Sequence, residues 1–275
     1  MDDLDFTSPA HEALYDPNVA RICFESIGRP DDVSGGQTFF AEGQNSDRLY
    51  FLTQGEVRLV RGKRTLDIIK AGEIFGEMAA ITGEPRTAAA VAKGDCRALS
   101  LDADQFERAL VQTPEFALML MSILINRLRL TIAILAGTGK LAGNSAIDAS
   151  RVFDQSLLDE LSAGLKRQPQ AFPRQRAIMK EGDKGGFMYV VVKGSVAMSI
   201  KSKIVERVGR GGTFGEMTLV DRSPRAASAV AETDSELLSI NRVDFLTLVK
   251  TKPAFAISLL RSLSLRLGQM TALQS

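Results

Sequence analysis

The sequence repeats itself once, and that repeat limits the fold more than any other feature. An offset of 139 residues places Gly43 on Gly182, Tyr50 on Tyr189, Gly55 on Gly194, Val57 on Val196 and Gly72 on Gly211. The same offset superimposes Phe75-Gly76-Glu77-Met78 on Phe214-Gly215-Glu216-Met217, Pro85-Arg86 on Pro224-Arg225, Phe106 on Phe245, Pro114 on Pro253, Phe116 on Phe255 and Arg127 on Arg266. No gap is needed from Gly43 to Leu128. Anchors spread this widely do not arise from one short shared motif. The period is a whole domain, far beyond the roughly 20–50 residues of a solenoid unit. A chain of 275 residues is long enough for two such domains, each with its own core.

Each copy reads as short strands followed by helices. LYFLTQGEVRLVRG (49–62) and MYVVVKGSVAMSIK (188–201) are apolar, β-branched runs broken by glycine, as in hairpins. TAAAVAKGDCRALSLD (87–102) and AASAVAETDSELLSIN (226–241) each give two more strands around a polar turn. Strands so short and closely spaced predict a β-sandwich or small barrel. The period then changes. ADQFERALVQ (103–112) and RVDFLTLVK (242–250) have helical spacing with aspartate near the start, and a longer helix begins near Pro114 and Pro253. The fold class is mainly β with flanking α-helices, an α+β arrangement. The segments are an N-terminal stretch (1–36), a first module (37–136), a glycine-rich linker (137–148) and a second module (149–275).

The chemistry lies in the repeated string. GEIFGEMAAITGEPRTAA (72–89) and GGTFGEMTLVDRSPRAAS (211–228) share three features. Glycine lets the backbone turn tightly and approach a ligand, and exposed N–H groups in such a turn form an anion-binding concavity. A carboxylate follows, Glu77 or Glu216, suited to accepting hydrogen bonds from sugar hydroxyls. Nine residues on stands Arg86 or Arg225, whose guanidinium can hold a phosphate through two parallel bonds. A lone Phe-Gly-Glu would more often be a turn with a surface glutamate, and the glutamate could simply pair with the arginine. The whole string, present twice at one spacing, points to a pocket for a compact sugar phosphate.

F-G-E-M-A-x5-P-R-T-A and F-G-E-M-T-x5-P-R-A-A resemble the phosphate-binding cassette of cyclic-nucleotide-binding domains. That family includes the catabolite activators, the regulatory subunits of cAMP-dependent protein kinase and cyclic-nucleotide-gated channels. The resemblance covers roughly residues 37–135 and 173–271, and it implies tandem β-rolls of the jelly-roll kind. It implies that Glu77 and Glu216 bind the ribose 2′-hydroxyl and that Arg86 and Arg225 bind the cyclic phosphate. Backbone groups at Gly76 and Gly215, and at Ala79 and Thr218, would line the pocket. Ala226 is similar to the cAMP-type pattern. Thr87 fits either a phosphate contact or the guanine contact of cGMP-type sites, so the first site stays open between cAMP and cGMP. Thr131, and Thr271 beside the matching offset, stand where some members place a base-contacting threonine; solvent-facing threonines are an equal reading. Gln44-Asn45 departs from the acidic residue usual after that glycine, whereas Asp183 keeps it.

Other functions find little support. The formal net charge of +1 gives no global footprint for nucleic acid. The single histidine, His11, and two separated cysteines, Cys23 and Cys96, supply neither a metal site nor a nucleophile–base pair, so an enzyme is not expected. Too few residues follow Arg266 for a helix-turn-helix, so direct DNA binding is not expected. The acidic N-terminus lacks a signal peptide's apolar core. The apolar run Phe116–Gly137 carries Asn126, Arg127 and Arg129 near its centre, which speaks for a buried helix over a membrane span. The expected location is the cytoplasm. Helix 114–136 is apolar over most of its circumference, with Met121, Leu124, Leu128 and Leu135 as a stripe: one side can pack on its own barrel, and the other on the same helix of a second subunit, the homodimer expected here, or on the second repeat of the same chain. The RGKRTL run (61–66) reads as a solvated hairpin tip. The resulting reading is a sensor that signals to an unidentified effector protein. The alternatives are a non-binding tandem scaffold, or a DNA-associated regulator without its own recognition helix.

Overall fold

The computed structural model describes residues 16–140, 147–148, 152–165 and 167–273. These form two compact units that divide at Met119 and Leu120.

The first unit opens with α1 (Pro17–Ile27), β1 (Arg29–Val33), β2 (Thr38–Phe40), β3 (Leu49–Gln54), β4 (Glu56–Arg61), β5 (Arg64–Lys70) and β6 (Ile74–Phe75). It continues through α2 (Glu77–Thr82), β7 (Ala89–Ala92), β8 (Cys96–Leu101), α3 (Ala103–Gln112) and the first residues of α4 (Pro114–Gly137). Its two antiparallel sheets have strand orders β1-β8-β3-β6 and β2-β7-β4-β5. Phe40, Tyr50, Leu52, Val57, Ile69, Phe75 and Ala98 form the core cluster of this module. Phe24 of α1 packs on Phe51 and Phe116, at 5.6 and 6.1 Å between ring centroids. The sheet of this module starts before Gln37: all five residues of β1 (29–33), within the N-terminal stretch 1–36, pair with β8.

The second unit holds the rest of α4, then β9 (Ile147–Asp148), α5 (Gln155–Leu165), β10 (Gln170–Phe172), β11 (Ala177–Met179), β12 (Phe187–Lys193) and β13 (Val196–Ile200). After these come β14 (Lys203–Val208), β15 (Thr213–Phe214), α6 (Met217–Asp221), β16 (Ser228–Ala231), β17 (Ser235–Asn241), α7 (Arg242–Thr251) and α8 (Pro253–Ala272). The sheets are β10-β17-β12-β15 and β11-β16-β13-β14-β9. Apart from β9, each strand has its counterpart in the first module, so the duplication extends to topology. β13 and β16 alternate buried and half-buried residues, the period-two pattern of a strand with one face on a core.

LYFLTQGEVRLVRG is not a single hairpin, because β3 and β4 lie in different sheets. Gly55 makes the passage at φ +95°, and a Cβ there would lie 2.7 Å from Cys96 Sγ. The true hairpin is β4–β5, where Arg61 pairs with Arg64 across Gly62 and Lys63, so RGKR is the exposed tip expected. The helix starts also agree with expectation. Asp102 caps α3 in a reciprocal capping box with Gln105, Asn241 caps α7, and Pro114 and Pro253 open α4 and α8. α4 is long and apolar enough to cross a membrane by length and composition alone. Met121, Leu124, Leu128 and Leu135 are all buried within this chain, as a helix apolar over most of its circumference requires.

Candidate functional site

In the second module, β15 ends at Phe214 and Gly215 turns the chain into α6 at φ +82°. A Cβ on Gly215 would lie 2.6 Å from Nη1 of Arg225, so the position tolerates only glycine. That close approach lets Arg225 fold beneath the turn. Its Nη1 donates to the Gly215 carbonyl at 2.8 Å and to Thr218 Oγ1 at 3.1 Å, and its Nη2 donates to the Phe187 carbonyl at 2.6 Å. Gly185 makes room from the other side, since a Cβ there would meet the Arg225 guanidinium at 2.5 Å. Gly215, Glu216, Thr218, Arg225 and Ala226 all line one cavity of about 60 Å³. Its remaining wall is mostly apolar and includes Met179, Met198, Ile200, Val205 and Met270. An arginine and a glutamate among apolar side chains in one cavity supply the chemistry needed to hold a charged group and a flat ring.

Glu216 is held by a residue that the motif does not contain. Arg266, on α8, donates from Nη1 to Glu216 Oε1 at 2.8 Å, from Nε to Glu206 Oε1 at 2.7 Å, and from Nη2 to the Thr213 carbonyl. All three charged residues are buried, so two carboxylates share one guanidinium out of contact with water. Burial pushes the Glu206 carboxyl up, against the pull of Arg266. Burial also opposes the charge of Arg266, but Glu206 and Glu216 beside it more than offset this and hold its pKa up. The other Glu216 oxygen, Oε2, is buried without a hydrogen-bond partner. Glu216 lines the cavity, so this buried oxygen is an unused acceptor next to it.

The first module repeats this geometry with different parts. Arg86 Nη1 donates to the Gly76 carbonyl at 2.6 Å, and Nη2 donates to the Arg48 carbonyl at 2.5 Å and to Ser46 Oγ at 2.8 Å. Ser46 and Gly185 occupy equivalent positions in the two copies, as do Ala79 and Thr218. The hydroxyl that accepts from the arginine therefore comes from the preceding loop in one copy and from the cassette helix in the other. The Arg86 guanidinium also lies 4.0 Å over the Phe40 ring, and its Nε is buried without a partner. Glu77 and Ala79 are buried, whereas Thr87 is exposed. Burial lowers the pKa of both cassette arginines, against the opposing effects of Tyr50 and Glu77 at Arg86 and of Tyr189 and Glu216 at Arg225. A guanidinium keeps its charge regardless, and its reduced hydration strengthens its pull on an anion.

The two threonines stand apart from these groups. Thr131 is buried on α4, within the unit that carries the second module, although it was expected at the first site. Thr271 Oγ1 is tied to the Leu267 carbonyl at 2.7 Å, and its neighbour Met270 lines the cavity instead. Sequence reasoning missed Glu206, Arg266, Ser46 and the carbonyls of Arg48 and Phe187. Only Arg266 left a signal, through its match to Arg127 across the repeat.

The fold and these two cassettes define a duplicated β-roll module with an arginine-bearing binding turn. The chain matches the cyclic nucleotide-binding domain family over residues 31–113 and 169–252, and it belongs to that family. It is 25% identical over 214 residues to the cAMP-dependent protein kinase regulatory subunit of Eremothecium gossypii, covering 78% of this chain and 42% of that protein. It is 36% identical over 107 residues to the cyclic AMP receptor protein of Thermus thermophilus, covering 37% of this chain and 50% of that protein. The chain thus spans half or less of the length of these curated relatives. Among solved structures, the regulatory domain of Toxoplasma gondii PKA with cAMP aligns over 93% of this chain and 96% of that one, at 19% identity and a TM-score of 0.33.

Proposed function

We propose that this chain is a cyclic-nucleotide sensor, with cAMP as its ligand, that regulates an effector protein through a change of conformation and has no catalytic activity of its own. The observation that carries the proposal is the second cavity, which Arg225 and Glu216 both line, with one buried Glu216 oxygen left without a hydrogen-bond partner. Arg225 takes the cyclic phosphate and Glu216 the ribose 2′-hydroxyl, with Gly215, Thr218 and Ala226 around them. Arg86 and Glu77 take the same roles in the first site, with Gly76 and Ala79 beside them. The exposed Thr87 hydroxyl allows cGMP there as well as cAMP. The effector is a protein, by analogy with the kinase regulatory subunits that the chain resembles, and both act in the cytoplasm. Ligand shifts the population toward the conformer that it binds better. Self-association through α4 falls to the exposed Leu130 and Ile134, and sedimentation velocity of Leu130→Lys reads it.

Calorimetric titration with cAMP, cGMP and 5′-AMP tests the proposal. Heat with one or both cyclic nucleotides and none with 5′-AMP is expected. A second reading, a scaffold whose pockets no longer bind, draws on the small size of the cavity, about 60 Å³ against the roughly 300 Å³ or more of a ligand pocket. Flat traces with all three nucleotides leave only that reading.

A further inference from the structure

The second cavity has a wall that belongs to neither the cassette nor α8. Leu128 and Ile132 line it, and both lie on α4. Four residues apart, they occupy the same face of the helix one turn from each other. Between them, Arg129 reaches the cassette. Its Nε donates to Asp221 Oδ2 at 2.5 Å and its Nη2 to Asp221 Oδ1 at 3.2 Å, a two-pronged pair. Its Nη1 donates to the Pro224 carbonyl at 3.2 Å. Asp221 closes α6 and its Oδ1 also accepts from the Ser223 amide at 3.0 Å, while Pro224 directly precedes Arg225. One side chain therefore fixes the turn that connects Glu216 to Arg225. Asp221 is 4% exposed and Arg129 only 18%, so water weakens the pair little.

With α4 in this position the cavity measures about 60 Å³. A mononucleotide needs several times that, on the scale of roughly 300–1,000 Å³ for ligand pockets. The apolar faces of Leu128 and Ile132 occupy space that a ligand's ring would enter. We propose that α4 is the lid of the second site, that Leu128 and Ile132 are its ligand-facing residues, and that the Arg129–Asp221 pair is the latch that holds it shut. The latch sets the fraction of molecules open to ligand, and apparent affinity scales with that fraction. Arg129 is a positioning residue: it acts through Asp221 and Pro224 and does not touch the cavity. The nature of the ligand rests on the nucleotide reading above; the latch itself does not.

The test uses the full chain and the variants Arg129→Gln and Arg129→Lys, with two readouts. Hydrogen exchange without ligand should show backbone amides of residues 217–226 exchanging at least fivefold faster in Arg129→Gln, with Arg129→Lys in between and residues 76–87 unchanged. Calorimetry with cAMP should show at least fivefold tighter binding at the second site in Arg129→Gln and no change at the first. Ile132→Ala, which widens the cavity, should tighten the second site in the same direction. Unchanged protection at 217–226, or second-site affinity that stays equal or weakens, overturns the latch. If wild type and variants alike take up no nucleotide at that site, the ligand reading fails, and exchange alone decides the latch on the same criterion.

Discussion

Replacing Arg266 with methionine removes one cation from a buried group that holds two anions. The three donors of Arg266 serve Glu206, Glu216 and the Thr213 carbonyl, with nitrogen–oxygen distances of 2.7 and 2.8 Å to the two carboxylates. Methionine fills much of the same volume, so packing loss is small. The two carboxylates then remain buried with no countercharge and face each other. Removing one partner of a buried ion pair costs about 3–5 kcal/mol. At about 2–4 °C per kcal/mol for a unit of this size, the second module should melt some 6–20 °C lower. The loss depends on pH, and its sign follows from the carboxylates. Without Arg266, burial and the neighbouring Glu216 charge, no longer opposed, hold the folded-state pKa of Glu206 further above its unfolded value. A raised pKa means that the folded state binds more protons, so stability is full below the unfolded value and falls as pH rises through the folded one. The deficit of Arg266→Met against wild type should therefore be small near pH 5 and largest near pH 8. Thermal melts followed by circular dichroism across that range measure it, with hydrogen exchange assigning the loss to the second unit. A variant as stable as wild type at pH 8, or a deficit that shrinks as pH rises, would refute the reasoning.

Further outcomes follow from single contacts. Glu206→Gln keeps an acceptor for Arg266 Nε but removes the second buried carboxylate, whose burial pushes the Glu206 carboxyl up. It should be neutral or stabilising by about 1 kcal/mol above pH 7 in thermal melts, with the advantage fading as acid protonates the wild-type residue. Gly185→Ala places a Cβ 2.5 Å from the Arg225 guanidinium and 2.6 Å from Thr218 Oγ1. In calorimetry it should lower second-site affinity at least tenfold and leave the first site intact. Gly194→Ala sets a side chain at φ +87°, 2.4 Å from Ser235 Oγ and 2.6 Å from the Asp234 carbonyl. Chemical denaturation should show a loss of more than about 1 kcal/mol.

Much of this architecture was legible in the chain itself, because a duplicated sequence supplies its own comparison. The cassette glycine, glutamate and arginine recur at fixed spacing, and in the second module five of the six expected residues line one cavity, Thr271 being the exception. Other features escaped for physical reasons. A strand–glycine–strand run looks the same whether the chain doubles back or crosses to another sheet, which is why Leu49–Arg61 read as a hairpin. The Gln44–Asp183 difference looked like divergence, yet the backbone carbonyl does the work in both copies: Arg86 N donates to Gln44 O and Arg225 N to Asp183 O, each at 2.9 Å. Main-chain acceptors such as Phe187 O leave no trace in side-chain identity. Glu206 sits on β14 in no motif at all, and only its approach to Arg266 in three dimensions gives it meaning.

The central claim is that each module grips one cyclic nucleotide through its own guanidinium. Its most direct measurement is the binding stoichiometry of cAMP for wild type, Arg86→Ala and Arg225→Ala by isothermal titration. Two sites in wild type and one in each variant, with the surviving site's affinity unchanged, are expected. Full occupancy retained by either folded variant would contradict the account.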